Sequence, residues 1–391
     1  MAVDVTSSPR ARAARTRSGR LQRRTTLTAY GFLLPNLLGF LIFTFLPVLA
    51  ALLISFSSWD LLRPPEWAGL ANYQRLVEDT TFHRVLRNTV IYVLGTVPVQ
   101  MAIALLVAMA LNQRLPGRLF FRAAYFMPVV AALLISFSSW DLLRPPEWAG
   151  LANYQRLVED TTFHRVLRNT VIYVLGTVPV QMLIALLVAM ALNQRLPGRL
   201  LFRAAYFMPV VASTVAVALV WRWIFHADFG LLNSGLYMLG IDDPPSWLQS
   251  TRWALPAIII MSIWQQIGFS MVLFLAGLQS VPPHLYEAAK IDGANGWHRF
   301  VHITIPMLSS TTFFVLVISI INSFQVFDQA FIMTEGGPAN ATNTLVFNIY
   351  RYAFQFFQMG YAAAMAWVLF AIIFVVTVVQ FRYQRQWVHY D

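Results

Sequence analysis

The chain alternates long apolar runs with short polar segments, and this pattern predicts helices that cross a membrane. A helix needs about 20 predominantly apolar residues to span the hydrocarbon layer. Runs of suitable length lie at residues 30–56, 90–111, 121–140, 171–192, 204–225, 254–278, 309–331 and 362–381. We therefore predict an all-α protein, a polytopic membrane helical bundle whose crossings are joined by polar loops such as 59–88, 141–169 and 193–199.

A tandem repeat changes how this bundle is interpreted. Residues 47–131 recur almost letter for letter as residues 128–212, at an offset of 81 residues. The copies differ at three aligned positions: Leu49/Val130, Ala102/Leu183 and Phe120/Leu201. Ancient transporter repeats diverge much further, so the repeat is either a recent duplication or an error of sequence assembly. Without one copy, 310 residues and six predicted helices remain, so we predict six core helices plus two added by the duplication.

The repeat also sets the domain organisation. We predict a basic tail at 1–28, the first helices and first copy at 29–127, the second copy at 128–212 and a core region at 213–391. At the junction, the start of one helix is fused to the end of another in the run 121–140. Two added crossings are an even number, so everything downstream keeps its sidedness. If the protein works, the first copy should lie at the periphery and the second should lead into the core.

Composition supports the membrane assignment and gives an orientation. Hydrophobic residues make up 58% of the chain and charged residues 12%, with a mean hydropathy of +0.59. The net charge of +11 comes largely from arginines before the first apolar run and in alternate loops. By the positive-inside tendency, this places both termini in the cytoplasm. The same clustering argues against a nucleic-acid partner, and we expect no cleavable signal peptide.

The chemistry that the chain lacks narrows its function. There is no cysteine, and no H-E-x-x-H, G-x-S-x-G or G-x-x-x-x-G-K-[ST] motif. We therefore expect neither a catalytic site nor a metal site, and no ATP binding of the P-loop kind.

One polar segment, residues 280–306, resembles the EAA loop of ABC importer permeases. The matching residues are Glu287, Ala288, Ala289, Gly293, Ile303 and Pro306, and Ile305 stands where leucine is usual. Pro282 and Pro283 stop the preceding helix and permit a new one, since proline is tolerated in a first turn.

The resemblance implies the fold of an importer permease in the bacterial plasma membrane and a set of partners. These partners are a second permease subunit, a dimer of ABC ATPases that binds the ATP, an extracytoplasmic solute-binding protein and membrane lipid. It implies no cofactor of the chain's own. It also implies that the loop, with Asp292 next to Gly293, docks in a cleft of the ATPase and transmits its closure to the pore. The alternative is that Glu287 and Asp292 are solvated loop carboxylates.

Further segments are similar to carbohydrate permeases. These are residues 333–338, 342–345, 349–354 and 360–364 near the carboxyl terminus, and 66–73 with its copy at 147–154. The resemblance implies a sugar or related solute.

Polar residues in the later helices are the candidates for contact with that solute. Such residues are costly in a membrane and usually face a cavity or another helix. The candidates are Trp264, Gln265, Asn322, Ser323, Gln325, Asp328, Asn348 and Tyr350. Amides and carboxylates bind sugar hydroxyls, and aromatic faces bind sugar rings. The same residues serve equally well as bonds between neighbouring helices.

Two other interpretations remain open. A secondary transporter or channel needs intramembrane acids, and Asp328 is the one plausible example. Alternatively, the duplication has inactivated a permease.

Overall fold

The computed structural model describes residues 34, 52–53, 55–58, 66–112, 127–194 and 197–388. The predicted basic tail and nearly all of the predicted helix 30–56 lie outside these residues. So does the run 113–126, which contains the start of the predicted helix 121–140.

Each copy of the repeat folds locally in the same way. In the first copy, strands β1 (Ser57–Ser58) and β2 (Glu66–Trp67) pair antiparallel, before helices α1 (Ala71–Glu78) and α2 (Thr80–Asn112). After α3 (Met127–Ser136), the second copy repeats this order with β3 (Ser138–Ser139), β4 (Glu147–Trp148), α4 (Ala152–Glu159) and α5 (Thr161–Leu192).

The local structure recurs because its contacts come from within the repeated sequence. The Tyr73 hydroxyl lies 2.6 Å from Ser55 Oγ, and the Tyr154 hydroxyl lies 2.7 Å from Ser136 Oγ. The two long helices also begin alike. The Oδ1 atoms of Asp79 and Asp160 each accept a hydrogen bond from a backbone N–H two residues on, at 2.7 Å in both copies. Such N-caps satisfy donors that the first helical turn leaves free.

The rest of the chain is helical. It comprises α6 (Arg199–Val211), α7 (Thr214–Ile224), α8 (Leu231–Met238), α9 (Ala254–Ser280), α10 (Pro283–Ile291), α11 (Gly296–Arg299), α12 (Ile305–Met307), α13 (Ser309–Phe324), α14 (Asp328–Thr334), α15 (Leu345–Tyr350) and α16 (Met359–Trp387). Short π-helical turns at Phe300–Thr304 and Arg351–Gln355 follow α11 and α15.

Two predicted loops were wrong. The segments 59–88 and 141–169, where described, contain a strand, a short helix and the first turns of α2 or α5. The long helices start ten residues earlier than their apolar runs because an aspartate caps each helix and the polar first turns stay helical outside the apolar stretch.

Two predicted continuous helices are broken. The run 204–225 is divided into α6 and α7, which meet at an angle of 99°. The break follows from Ala212 and Ser213, whose backbones are not helical (ψ 144° and 127°). The run 309–331 is divided into α13 and α14.

The described residues contain four helices long and apolar enough to cross a membrane, or up to six if each bent pair forms one span. The long helices are α2, α5, α9 and α16, and the bent pairs are α6 with α7 and the segment Gly296–Met307 with α13. The junction helix α3 has ten described residues, short of a span. The predicted eight crossings therefore include two that lie wholly or partly outside the described residues.

The second copy, not the first, forms the centre of the bundle. Helix α5 packs along α9 and also against α13, and α3 packs against α16. No residue of the span Thr80–Met109 is buried, although its sequence nearly repeats that of α5. Tyr173 is completely buried, whereas its counterpart Tyr92 is 70% exposed. This arrangement agrees with the predicted peripheral position of the first copy.

Candidate functional site

The segment that resembles an EAA loop forms a separate, exposed helix. Pro282 has an extended backbone, and Pro283 occupies the first turn of α10. No residue of α10 is buried. Glu287 and Ala288 are open to solvent, while Ala289 is half-buried. The motif's acid and first alanine are therefore accessible to a partner surface.

Gly293 ends this helix. The Asp292 N–H donates to the Ala288 carbonyl at 3.0 Å, and the Ala294 N–H donates to the Ala289 carbonyl at 2.8 Å. Gly293 lies between them at φ +82°, a left-handed conformation that glycine adopts without strain. Gly293 therefore turns the chain at the end of α10.

A side-chain hydrogen bond ties α10 to the segment that follows it. The Tyr286 hydroxyl lies 3.0 Å from Thr304 Oγ1, at the end of the π-helical turn. Ile303 lies in that turn, and Pro306 lies in the first turn of α12. The axis then bends by 64° into α13. This contact therefore joins α10 to the segment that leads into α13.

The loop also exposes two large apolar side chains. Ile291 is 86% exposed and Trp297 is 69% exposed, in a segment that by sequence lies outside the membrane-spanning runs. Exposed aromatic and aliphatic side chains of this size are common anchors in protein interfaces.

Three of the predicted solute-contacting residues meet at the break between α13 and α14. Asn322, Gln325 and Asp328 are exposed there. The Gln325 N–H donates to the Asn322 carbonyl at 3.2 Å. Ser323 is fully buried beside them. Two amides and a carboxylate are therefore accessible where the helix is interrupted.

The two candidates on α9 face α7, with Gln265 buried and Trp264 half-buried. Gln265 is 6% exposed, and its Nε2 donates to Thr214 Oγ1 of α7 at 3.2 Å. The Trp264 ring packs edge-on against Trp221, with centroids 5.6 Å apart. In this conformation both side chains join α9 to α7.

The last two candidates, Asn348 and Tyr350, differ in how deeply they are buried. Asn348 is 1% exposed: its Oδ1 accepts from Asn343 Nδ2 at 3.1 Å, and its Nδ2 donates to Met365 Sδ at 3.3 Å. It is engaged within the protein in this conformation. Tyr350 is half-buried and packs against Phe327, with centroids 5.3 Å apart, so it borders the α13–α14 break.

The sequence interpretation missed a buried polar stripe on α5. Tyr173, Thr177 and Gln181 share one helix face and are all buried. Gln181 Nε2 donates to Ser270 Oγ of α9 at 2.9 Å and lies 3.4 Å from Ser319 Oγ of α13. The i, i+4, i+8 spacing was a usable signal. Because the stripe occurs in both copies, its own residues could not show which of the two stripes is buried.

Comparison with known proteins identifies the family. Residues 163–388 match the family of binding-protein-dependent transport system inner membrane components. The Bacillus subtilis protein called probable ABC transporter permease protein YesP is 40% identical over 269 residues, which are 68% of this chain and 86% of that protein. The lactose transport system permease protein LacF of Rhizobium radiobacter is 38% identical over 245 residues, 61% of this chain and 82% of LacF.

A solved structure shares the fold. It is a bacterial ABC transporter involved in the import of the acidic polysaccharide alginate. The similarity has a TM-score of 0.58 and 22% identity, and covers 80% of this chain and 98% of that one.

The chain therefore belongs to the family of binding-protein-dependent transport system inner membrane components, the permeases of ABC transporters. The family and the apolar helices together make it a multi-pass protein of the inner membrane. Its match to the family begins inside the second copy of the repeat.

Proposed function

We propose that this chain is the non-catalytic permease subunit of an ATP-driven importer for a sugar or related solute. It forms half of the translocation pathway, with a second permease subunit forming the other half. A separate ATPase dimer binds and hydrolyses the ATP, and an extracytoplasmic binding protein delivers the solute. LacF supports the solute class by its name, as do the segments similar to carbohydrate permeases.

The observation that carries the coupling role is the exposed helix α10. Its acid and first alanine are accessible, Gly293 turns the chain at its end, and the Tyr286–Thr304 contact links it to α13. When the ATPase dimer closes, it displaces α10 as a rigid body and moves α13 with it. The residues in this role are Glu287, Ala288, Ala289, Asp292, Gly293, Ile303 and Pro306.

In the proposed orientation, both termini and α10 face the cytoplasm. The amino-terminal ends of α5 and α9 then face outward. Solute contacts are proposed at the α13–α14 break, through Asn322, Gln325 and Asp328. Tyr350 offers an aromatic face beside them.

A double substitution tests the coupling. In purified complexes reconstituted into liposomes, Glu287→Ala/Gly293→Ala should lower ATP-dependent sugar uptake about tenfold or more, equivalent to at least 1.4 kcal/mol. The ATPase should also co-purify in reduced amount. The matched control is Asp243→Ala/Gly240→Ala, which changes another exposed acid and another glycine at φ +82° and should leave uptake unchanged. Normal uptake by well-expressed Glu287→Ala/Gly293→Ala protein contradicts the proposed coupling.

A further inference from the structure

A cleft of about 770 Å³ opens where the beginnings of α5 and α9 meet the loop around residues 339–341. This volume is within the range of ordinary ligand sites. Arg165 and Arg168 line it from α5, with His164 beside them, and Arg252 lines it from the segment before α9. All three arginine side chains are exposed.

Within the described part of the chain, no carboxylate neutralises the positive charge of the cleft. No aspartate or glutamate lines the cleft. Among the residues that the structure describes, no carboxylate forms an ion pair with any of the three guanidinium groups. Arg165 Nη1 donates to the Ala339 carbonyl at 3.2 Å, and Arg252 lies over the Trp253 ring at 5.6 Å. Since a guanidinium has five N–H donors, most of the donors remain available.

The location of these arginines calls for a functional explanation. In the proposed orientation the cleft faces outward, on the side where the positive-inside tendency disfavours arginine. Like charges gathered in one concavity repel each other, and an anion between them removes that repulsion. The planar guanidinium fork matches the two oxygens of a carboxylate or phosphate.

The first copy shows that sequence alone does not make this site. Arg84 and Arg87 repeat Arg165 and Arg168 on a helix with no buried residue among those described. Only in the second copy do α9 and the 339–341 loop supply the other walls. The cleft is therefore a property of the packed bundle.

We propose that this cleft binds the anionic group of an acidic saccharide, a carboxylate or a phosphate, at the outer end of the translocation pathway. Three guanidinium groups in a cavity of this size can hold a charged sugar residue and select it over a neutral one. The inference rests on the proposed function for the solute class and for the orientation.

Binding to the assembled importer in lipid nanodiscs tests the proposal. The carboxylate probe is digalacturonate, compared with its neutral methyl ester. The phosphate probe is trehalose 6-phosphate, compared with trehalose. By titration calorimetry at low salt, at least one acidic probe should bind about tenfold or more tightly than its neutral partner. The acid that is preferred identifies the anionic group. Salt should weaken the preference because exposed charges are screened.

Variants in the two copies provide matched controls. Arg165→Gln/Arg168→Gln should abolish the preference, and the lysine versions should retain part of it. Arg84→Gln/Arg87→Gln, which makes the same change in the same local sequence, should leave it intact. Amounts of assembled complex, measured by size-exclusion chromatography, should be equal for all variants because these side chains are exposed.

Three results overturn the proposal. One is equal binding of acidic and neutral probes by the wild type. Another is an acid preference that survives Arg165→Gln/Arg168→Gln or that is lost in Arg84→Gln/Arg87→Gln. The third is a combination of two observations. The wild type shows no preference for the acidic probes, and Arg165→Gln/Arg168→Gln weakens docking of the binding protein. ATP-driven uptake of neutral sugar alone would leave the proposed function standing, whereas a wild-type chain that recruits no ATPase would overturn that function itself.

Discussion

At the scale of single residues, the repeat offers paired positions with the same sequence context and different surroundings. Asp79 and Asp160 both cap a helix, but Asp160 alone has a described long-range partner. The Tyr361 hydroxyl of α16 donates to Asp160 Oδ2 at 2.7 Å. Burial raises the pKa of Asp160, but the hydrogen bonds from Tyr361 and from the Thr162 N–H outweigh it, so the pKa lies below its ordinary value.

We therefore expect Asp160→Ala to destabilise the protein and Asp79→Ala to have little effect. Asp160→Ala removes a helix cap, which contributes about 1 kcal/mol, and a charge-assisted hydrogen bond, which contributes about 1.5–3 kcal/mol. Asp79→Ala removes only a cap, in a helix outside the packed bundle. The apparent melting temperature in detergent, followed by tryptophan fluorescence, should fall for the first variant alone.

The pH dependence provides an independent check on this contact. Because the folded-state pKa of Asp160 is depressed, its stabilising contribution is present above the ordinary pKa and is lost as the pH falls through the folded value. The stability difference between wild type and Asp160→Asn should therefore shrink in acid, below about pH 4. A difference that stays constant down to the acid limit of the assay would rule out the carboxylate as its source.

At the scale of elements, the contact between α5 and α9 is the main packing interface of the second copy. Gly176 lies in it: a Cβ built at this position would lie 3.0 Å from Ile259 Cδ1 of α9. Gly95, the same position in α2, has no atom within 4 Å of such a Cβ. The close approach of the Ile259 side chain to the α5 backbone explains why a small residue suits position 176.

We expect Gly176→Leu to weaken this interface. Inserting a larger side chain into a packed core costs about 1–3 kcal/mol. The melting temperature should drop by several degrees, and less of the protein should elute as a monodisperse complex. Gly95→Leu should leave both measurements unchanged, since leucine favours helix more than glycine does. Equal effects of the two substitutions would show that α2 is packed as α5 is.

At the scale of the whole molecule, the first copy adds length without joining the described core. The buried clusters are built from residues of the second copy and the segments after it. Deleting residues 47–127 joins residue 46 to residue 128, so the sequence that follows residue 46 in the first copy is restored except at three positions, where Val130, Leu183 and Leu201 replace Leu49, Ala102 and Phe120.

This deletion should preserve or increase ATP-dependent uptake, measured in reconstituted liposomes and normalised to the amount of complex. We expect this because the deletion retains the described helices that pack against α9 and α13. The matched control is removal of the second copy's α5, which should abolish uptake because the core loses its central helix. Loss of uptake in the 47–127 deletion would show that the first copy has a function.

The lengths of the apolar runs predicted much of the fold, but they did not predict where two of the helices are broken. The run 204–225 contains Pro209, yet the bend falls at Ala212 and Ser213, where neither residue type demands an extended backbone. The run 309–331 breaks where Gln325 and Asp328 interrupt it, and that polar signal was interpreted as a binding site rather than as a helix end. Tertiary packing of α7 against α14 accompanies both breaks.

Position in the sequence predicted the solvent exposure of some candidate site residues but not of others. The helix begun by Pro283 formed as expected, because the proline pair is a local start signal. Asn348 was grouped with Asn322 as a polar residue in a helix. Asn348 is buried and forms hydrogen bonds with Asn343 and Met365, whereas Asn322 is exposed.

The sequence by itself determined everything that depends on neighbours along the chain: the apolar spans, the hairpin and capped helix of each copy, and the short exposed helix whose motif indicates the family. Chain order predicted that the second copy leads into the core, but only the tertiary structure decided which side chains of that copy are buried and where the arginine-lined cleft forms. Two nearly identical segments cannot be distinguished by their own residues. Burial is decided by what packs against them, and α9 and α13 pack against α5 because the second copy leads directly into the helices of the bundle.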